Sequence, residues 1–365
     1  MKIFCKKQTT IGNRWTKNNF IIGSDLLANL SQLEIVNRPE VDKFFILTDK
    51  TVFRIYGKKM IVSLRKTRKS VIPFILEPGE KEKNINNVMM IINQFIEQGI
   101  TRKSILLALG GGVMTDIGGF VASIILRGID YINLPTTLIG QVDAGLGGKT
   151  GVNISHEKHM IKNMIGTFKQ PTAVISDINA LRTLPEKEIK NGLGEIIKYW
   201  IGWGKPEVNL LHLGGVSDMA PLELASIISQ CQEIKLDVVR NDPFETRHIR
   251  DKLNLGHTVG HAIEGISNGR LSHGEAVALG LVAAVKISVL KGFLKEETAG
   301  EIINLIRRVG LPTSVNGLDK EKIQEALKFD KKDRTFVLIR EIGKIETNVP
   351  VESSIINQVL EEIIL

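Results

Sequence analysis

At 365 residues the chain is long for one hydrophobic core, so two domains are expected; 43% hydrophobic and 24% charged residues is the balance of a soluble globular protein. A net charge of +8 raises the question of nucleic acid, but aromatics are only 5% and do not interleave with the basic clusters at 65–69 and 328–334 beyond the single Phe329, so no nucleic-acid partner is expected. The same positive balance suits an enzyme that collects phosphorylated or carboxylated small molecules.

The first residues, Met1 to Lys7, lack the apolar core of a leader, and no apolar run reaches the eighteen or so residues of a membrane span, so no membrane is expected. Cys5 and Cys231 stand alone and far apart, which fits a reducing cytoplasm. Residues 44–49 form a short apolar run that ends on Asp49, the pattern of a buried parallel strand; residues 71–76 form another, closed by Glu77-Pro78-Gly79-Glu80. Residues 86–98 have helical spacing through Val88, Ile91, Ile92 and Phe95, with Gly99 just past the end. A strand at 105–109 runs into Gly110-Gly111-Gly112, and 116–126 is again helical. That succession is the grammar of a doubly wound α/β domain. From about residue 180 the pattern changes. Pro185 opens a helix at a favourable first position, and helical spacing fills 186–200, 222–240, 254–266, 274–291 and 296–309 before a strand-like run at 335–339. The expected fold is an α/β Rossmann-like N-terminal domain over residues 1–180 and a mostly α-helical domain over 181–365.

Three stretches carry chemistry. Gly110-Gly111-Gly112, between strand and helix, lets backbone N–H groups approach a pyrophosphate, although it is not the usual G-x-G-x-x-G. Gly147-Gly148-Lys149-Thr150 lacks the earlier glycine of a P-loop, where Asp143 stands, but gathers Asp143, Lys149, Asn153, Lys162 and Asn163 into a polar cluster suited to a polar ligand. His257 and His261 lie four apart on one helix face with Glu264 a turn further on, and His273 follows; such groups offer ligands to a borderline metal such as zinc. Glu195 and Lys198 share a helix face, which by itself reads as a surface ion pair.

Taken together, Gly111-Gly112-Val113-Met114-Thr115-Asp116, Arg127-Gly128, Pro135-Thr136-Thr137-Leu138, Gly147 to Asn153, Lys162-Asn163-Met164-Ile165-Gly166, Gln170-Pro171, Thr183-Leu184-Pro185, Glu195-Ile196-Ile197-Lys198, Asn254-Leu255-Gly256-His257 and His273-Gly274-Glu275 occur in the order seen in the 3-dehydroquinate synthases. The chain resembles that family from about Asp49 to Lys332. The resemblance implies a Rossmann-like NAD domain, a helical metal domain, an active site in the cleft between them, and a homodimer. It implies NAD and one divalent ion, zinc or cobalt, as cofactors, with Glu195, His257 and His273 as metal ligands. On the nucleotide side it implies Asp49, Glu80, Lys83, Gly111, Gly112, Asp116, Thr136, Thr137 and Thr183. Asp143 is implied at the border of the nucleotide and substrate sets. For a phosphorylated keto acid it implies Lys149, Lys162, Asn163, Lys198, Lys235, Arg250, Asn254, His261 and Lys331 or Lys332, with Arg127 reaching a phosphate across the dimer. His261 is thereby moved from the metal to the substrate side.

The implied reaction converts 3-deoxy-D-arabino-heptulosonate 7-phosphate to 3-dehydroquinate and phosphate, through a transient oxidation that leaves NAD unchanged overall. The chain departs from the family pattern between Asn153 and Lys162-Asn163, where four extra residues make 158–161 nearly repeat 162–165, as if one helical turn were duplicated. Either Lys158 or Lys162 then fits the functional lysine, with Lys162 preferred because Asn163 and Ile165-Gly166 continue the pattern. Thr115 and Thr51 stand where glycine and asparagine are usual. Such departures leave room for a sister sugar phosphate cyclase of the inosose, valiolone or amino-dehydroquinate type. A metal-dependent polyol-phosphate dehydrogenase is a further alternative.

Overall fold

A computed structural model describes residues 1–12, 17–156, 159–206, 219–330 and 335–365, with backbone alone at 155–156, 159–160 and 328–330. The chain divides into two compact units, Met1–Leu184 and Pro185–Leu365.

The first unit is built on a sheet of seven strands. In chain order these are β1 (Lys2–Thr10), β2 (Lys17–Ser24), β3 (Lys43–Asp49), β4 (Ser70–Leu76), β5 (Ile105–Gly110), β6 (Asp130–Pro135) and, after a separate hairpin of β7 (Lys149–His156) and β8 (His159–Phe168), β9 (Ala173–Asp177). The spatial order is β1-β2-β9-β6-β5-β3-β4, parallel throughout except for β1 against β2. The apolar runs read from the sequence are strands because both faces of the sheet are covered. Phe44, Ile46, Leu107 and Leu109 enter one core, while Phe45, Leu47, Leu106 and Ala108 enter the other. Helices α1 (Lys50–Val52), α2 (Lys58–Arg65), α3 (Ile85–Glu97) and α4 (Gly112–Ile124) connect them. The chain moves outward from β3 to β4, then returns to the other side of β3 as β5. The strand order therefore reverses between β3 and β5, and the crevice at their C-terminal ends is where open α/β sheets take ligands.

The described residues of the near-repeat, 159–161, do not form an extra helical turn. Residues 159–161 belong to β8, paired with β7 through Ser155↔Met160 and Ile154↔Ile161; Lys158 lies outside the described residues. Partners on the facing strand satisfy the backbone here; the register then shifts between Ile154↔Ile161 and Val152↔Ile165, an irregularity that contains Asn163 at φ +55°.

The second unit is mainly helical: α5 (Glu186–Trp203), α6 (Pro221–Asn241), α7 (His257–Ile266), α8 (His273–Leu290), α9 (Glu296–Arg308), α10 (Lys320–Asp330) and α11 (Ser353–Ile363), with a hairpin of β10 (Thr335–Glu341) and β11 (Lys344–Pro350). Helix α8 is its centre, packed by α5, α7, α9, α11 and β10. It is long and apolar enough to cross a membrane, but 72% of it is buried inside the protein, as a core helix is. The helix expected to start at Asn254 starts at His257 instead. Arg250–Asn254 is a separate 3-10 turn, and Gly256, at φ +75°, redirects the chain between the two.

Candidate metal centre and nucleotide edge

Glycines decide where the functional groups of the second unit meet. A Cβ on Gly194 of α5 would lie 2.6 Å from the carbonyl oxygen of Gly274, and one on Gly280 of α8 would lie 1.8 Å from that of Gly256. Only residues without side chains allow α5 and α7 to approach α8 so closely. Asn191 secures the first crossing, its Oδ1 accepting from the Gly274 N–H at 2.7 Å. The N-terminus of α8 is closed by a capping box in which Ser272 and Glu275 bond each other's backbone, so His273 sits on a fixed first turn.

These crossings bring Glu195, His257 and His273 together. Glu195 Oε1 lies 2.9 Å from His273 Nε2 and 3.3 Å from His257 Nε2. The other nitrogen of each ring is engaged: His257 Nδ1 is 3.0 Å from the Leu255 carbonyl, and His273 Nδ1 is 3.0 Å from Glu264 Oε2. Both ε nitrogens thus point at the Glu195 carboxylate. Lys198 forms an ion pair with Glu195 Oε2, each side chain only 2% exposed, and this oxygen has no hydrogen bond of good geometry. The pair expected at the surface is buried because α5 turns this face toward α8. Burial opposes the charge on Glu195, but the Lys198 ammonium and the two imidazoles outweigh it and hold the carboxyl well below its usual range. Burial opposes the charge on His273 also, yet hydrogen bonds to Glu195 and Glu264 raise it to about 10. His261 is exposed; its ring centroid is 5.0 Å from that of His257 and 6.0 Å from that of His273. Crowding by protein on the inner side, then repulsion from those two rings, pushes its protonation below the usual imidazole range.

Among the described residues two sets have metal-ligand spacing, each with its donor atoms within 4.8 Å of one another: Glu195, His257 and His273, and His261, Glu264 and His273. A carboxylate and two imidazoles, each imidazole with its remote N–H tied, is a donor set that fits zinc or cobalt with positions left open. The helical spacing that first joined His257 to His261 places them in different sets.

Arg250 is 2% exposed, and its guanidinium donates to the carbonyls of Asp242 at 2.7 Å and Pro243 at 3.0 Å. Asp242, a residue that sequence reasoning missed, shapes this loop. Its buried carboxylate accepts from the backbone N–H groups of Thr246, Arg247, Ile249 and Arg250, over a stretch in which Glu245 and His248 have positive φ. An acid just after a helix is a frequent pattern, and nothing else in the sequence marks it. Asn254 ends the turn that begins at Arg250, and Lys235 lies on α6, which packs against both α5 and that turn. Lys331 and Lys332 lie outside the described residues.

In the first unit, Asp49 ends β3 beside Gly110 at the end of β5. Its Oδ1 caps the next turn through the N–H groups of Thr51 and Val52, while Oδ2 faces Gly110. A Cβ on Gly111 would lie 3.1 Å from the Thr137 methyl, and Gly111 begins α4 with no side-chain cap and no acid in the first turn. The free N–H groups of that helix start, at the reversal between β3 and β5, suit a pyrophosphate. Thr136 and Thr137 flank them, the Thr136 N–H bonded to the Gly110 carbonyl. Lys83, 5% exposed, is held between Asp116 Oδ2 at 2.6 Å and Asn163 Oδ1 at 2.5 Å. Asn153 joins them, donating to Glu80 Oε1 and accepting from the Asn163 N–H. Asp143 lies in the turn Gly140–Ala144, and Lys149 and Lys162 are exposed on the hairpin. Thr183 Oγ1 meets the Tyr56 hydroxyl at 2.5 Å. Arg127 is exposed on a turn where it and Leu126 both have positive φ.

A family model described as 3-dehydroquinate synthase N-terminal matches residues 73–191, and one described as 3-dehydroquinate synthase C-terminal matches residues 192–333. A 3-dehydroquinate synthase from Thermoanaerobacter pseudethanolicus (strain ATCC 33223 / 39E) is 41% identical over 321 residues, covering 86% of this chain and 89% of that protein. Among solved structures, a 2-deoxy-scyllo-inosose synthase superposes with a TM-score of 0.87 at 26% identity, covering 98% of this chain and 99% of its own. A 2-epi-5-epi-valiolone synthase from Streptomyces hygroscopicus subsp. jinggangensis 5008, with NAD+ and Zn2+ bound, gives 0.85 at 25% identity over 97% of this chain and 99% of its own.

Proposed function

Because the chain belongs to the 3-dehydroquinate synthase family, we propose that it converts 3-deoxy-D-arabino-heptulosonate 7-phosphate to 3-dehydroquinate and phosphate, with NAD and one divalent ion as cofactors. The observation that carries this reading is the convergence of Glu195, His257 and His273 beside the buried Lys198, in a chain matched by the family in both halves. We assign the ion to those three residues. NAD is assigned to the edge formed by Asp49, Gly111, Gly112, Thr136 and Thr137, with Glu80, Lys83, Asp116, Asp143 and Thr183 around it. When bound, NAD would accept and return the hydride of the alcohol being oxidised, and the ion would make that hydroxyl more acidic.

The chain's own groups bind and move protons. Lys149, Lys162, Lys198, Lys235, Arg250 and Lys331 bring the positive charge that a phosphorylated keto acid needs at its two anionic ends. Asn163 and Asn254 add amide contacts that orient it. Burial of its inner side first, then repulsion from His257 and His273, keeps His261 neutral near pH 7, the form in which it can take up a proton as phosphate leaves. Arg127, on its strained exposed turn, is read as contacting the phosphate bound by a second copy in a homodimer. Cys5, half-buried, and Cys231, buried, stand 226 positions apart in the chain, a usage that suits the cytoplasm.

The test is turnover with NAD and cobalt or zinc. Phosphate release from the heptulosonate phosphate without NADH accumulation is expected. Stoichiometric NADH would instead point to a dehydrogenase, and preference for a heptose phosphate would point to a sister cyclase with the lengthened hairpin of β7 and β8. Gel filtration with light scattering reads the dimer: a monomer overturns the role given to Arg127.

A further inference from the structure

The ring of His273 lies between two carboxylates, and only Glu195 belongs to the set that includes His257. Glu264, on α7, faces the opposite side: its Oε2 is 3.0 Å from His273 Nδ1, with the Glu264 side chain 18% exposed. His257 is treated differently, its Nδ1 resting on the neutral carbonyl of Leu255. A neutral imidazole has one N–H. In the metal-free ring both nitrogens meet carboxylates; when an ion held by Glu195 and His257 takes the Nε2 side, the one remaining proton stays on Nδ1 against Glu264 and the lone pair is left on Nε2. The carboxylate also makes that lone pair more basic, which a carbonyl does less. Glu195 itself already shares its charge with Lys198.

Resting on the ligand assignment above, we propose that Glu264 is a positioning residue: it fixes His273 with Nε2 toward the ion and supplies, through the ring, a second negative charge to the centre. The rival use of the same atoms is an ion held by His261, Glu264 and His273 Nδ1. That ion would have to displace the proton from Nδ1, so the two arrangements exclude each other for a neutral ring.

The experiment is Co2+ titration of the full chain against a competing chelator, with the visible cobalt spectrum recorded for the parent, Glu264→Gln, Glu264→Ala and His257→Ala. Glu264→Ala is expected to weaken Co2+ binding about 10–100-fold, the usual effect of removing such an outer partner. Glu264→Gln keeps an oxygen to accept from Nδ1 but loses the charge, so it falls between Ala and the parent, and it carries the test if the alanine variant does not fold. A merely structural role would lower the melting temperature of the metal-free variants and leave affinity and spectrum unchanged. Affinities within threefold of the parent in both Glu264 variants would overturn the proposal. So would uptake of two ions, one of them lost with Glu264. His257→Ala separates the two readings. If it keeps full affinity, the ligand assignment is wrong; if it loses the ion while the Glu264 variants keep theirs, only the role of Glu264 is wrong.

Discussion

Replacing Lys198 by Met removes the cation from a pair whose two members are each 2% exposed, while keeping a side chain of similar length. In the parent the Glu195 carboxyl is lowered, so its charged form stabilises the fold above the ordinary carboxylate range, and that stability is lost as pH falls through the folded value. Without Lys198, burial is opposed by the imidazoles alone, and Glu195 can escape by taking up a proton. From an ordinary pKa of about 4.3 that escape costs at most about 3.7 kcal/mol at pH 7, but only about 1 kcal/mol at pH 5. The first figure agrees with the roughly 3–5 kcal/mol for unpairing a buried ion. Some relief from His273 leaves an expected loss of about 2–3 kcal/mol at pH 7, which lowers the melting temperature of a unit of this size by about 5–10 °C. Calorimetry of chelator-treated protein at pH 5 and pH 7 reads this directly. Added zinc should recover much of the loss by supplying the missing positive charge. An unchanged melting temperature at pH 7, or the same deficit at both pH values, would refute the reasoning.

Other consequences follow from the same geometry. Metal-free His273 keeps its proton up to about 10, so its ion pairs stabilise the metal-free fold below about 6.5 and fade as pH rises through about 10. The ion must displace that proton, so Co2+ affinity measured by chelator competition should rise about tenfold per pH unit between pH 7 and 9; a flat profile contradicts it. Asp242→Ala removes the acceptor that organises the loop carrying Arg250, and should raise KM for the phosphorylated substrate about tenfold, more than it lowers kcat. Steady-state kinetics with Asp242→Asn alongside decides it. Gly280→Ala places a Cβ 1.8 Å from the Gly256 carbonyl oxygen and should cost both stability and bound metal, whereas Gly265→Ala, with nothing within 4 Å, should keep both; metal content and melting temperature read the pair.

The sequence by itself determined the strands read at 44–49 and 105–109, because a strand covered on both faces must be continuously apolar, and the edge strand read at 71–76, whose apolar run is only partly covered. It also determined the glycine turn before α4, the helical second half, and the residue types at the candidate centre, since tight turns, helix faces and metal ligands each restrict local chemistry. Local patterns misled where the deciding partner is distant. The spacing of His257 and His261 suggested one metal pair, but the crossing of α5 on α8 selects Glu195, 78 residues from His273, as the group that both ε nitrogens face. The same crossing buries an ion pair that i,i+3 spacing alone places at the surface. The near-repeat has a helical period, yet pairing with β7 makes its described residues, 159–161, strand. Asp242 collects backbone N–H groups from four to eight residues away and leaves no mark on the pattern of apolar positions. Periodicity is set by one element and its solvent face, so it is legible in order along the chain. Ligand geometry, burial and tautomer are set by which helices touch, and that contact exists only in the folded unit.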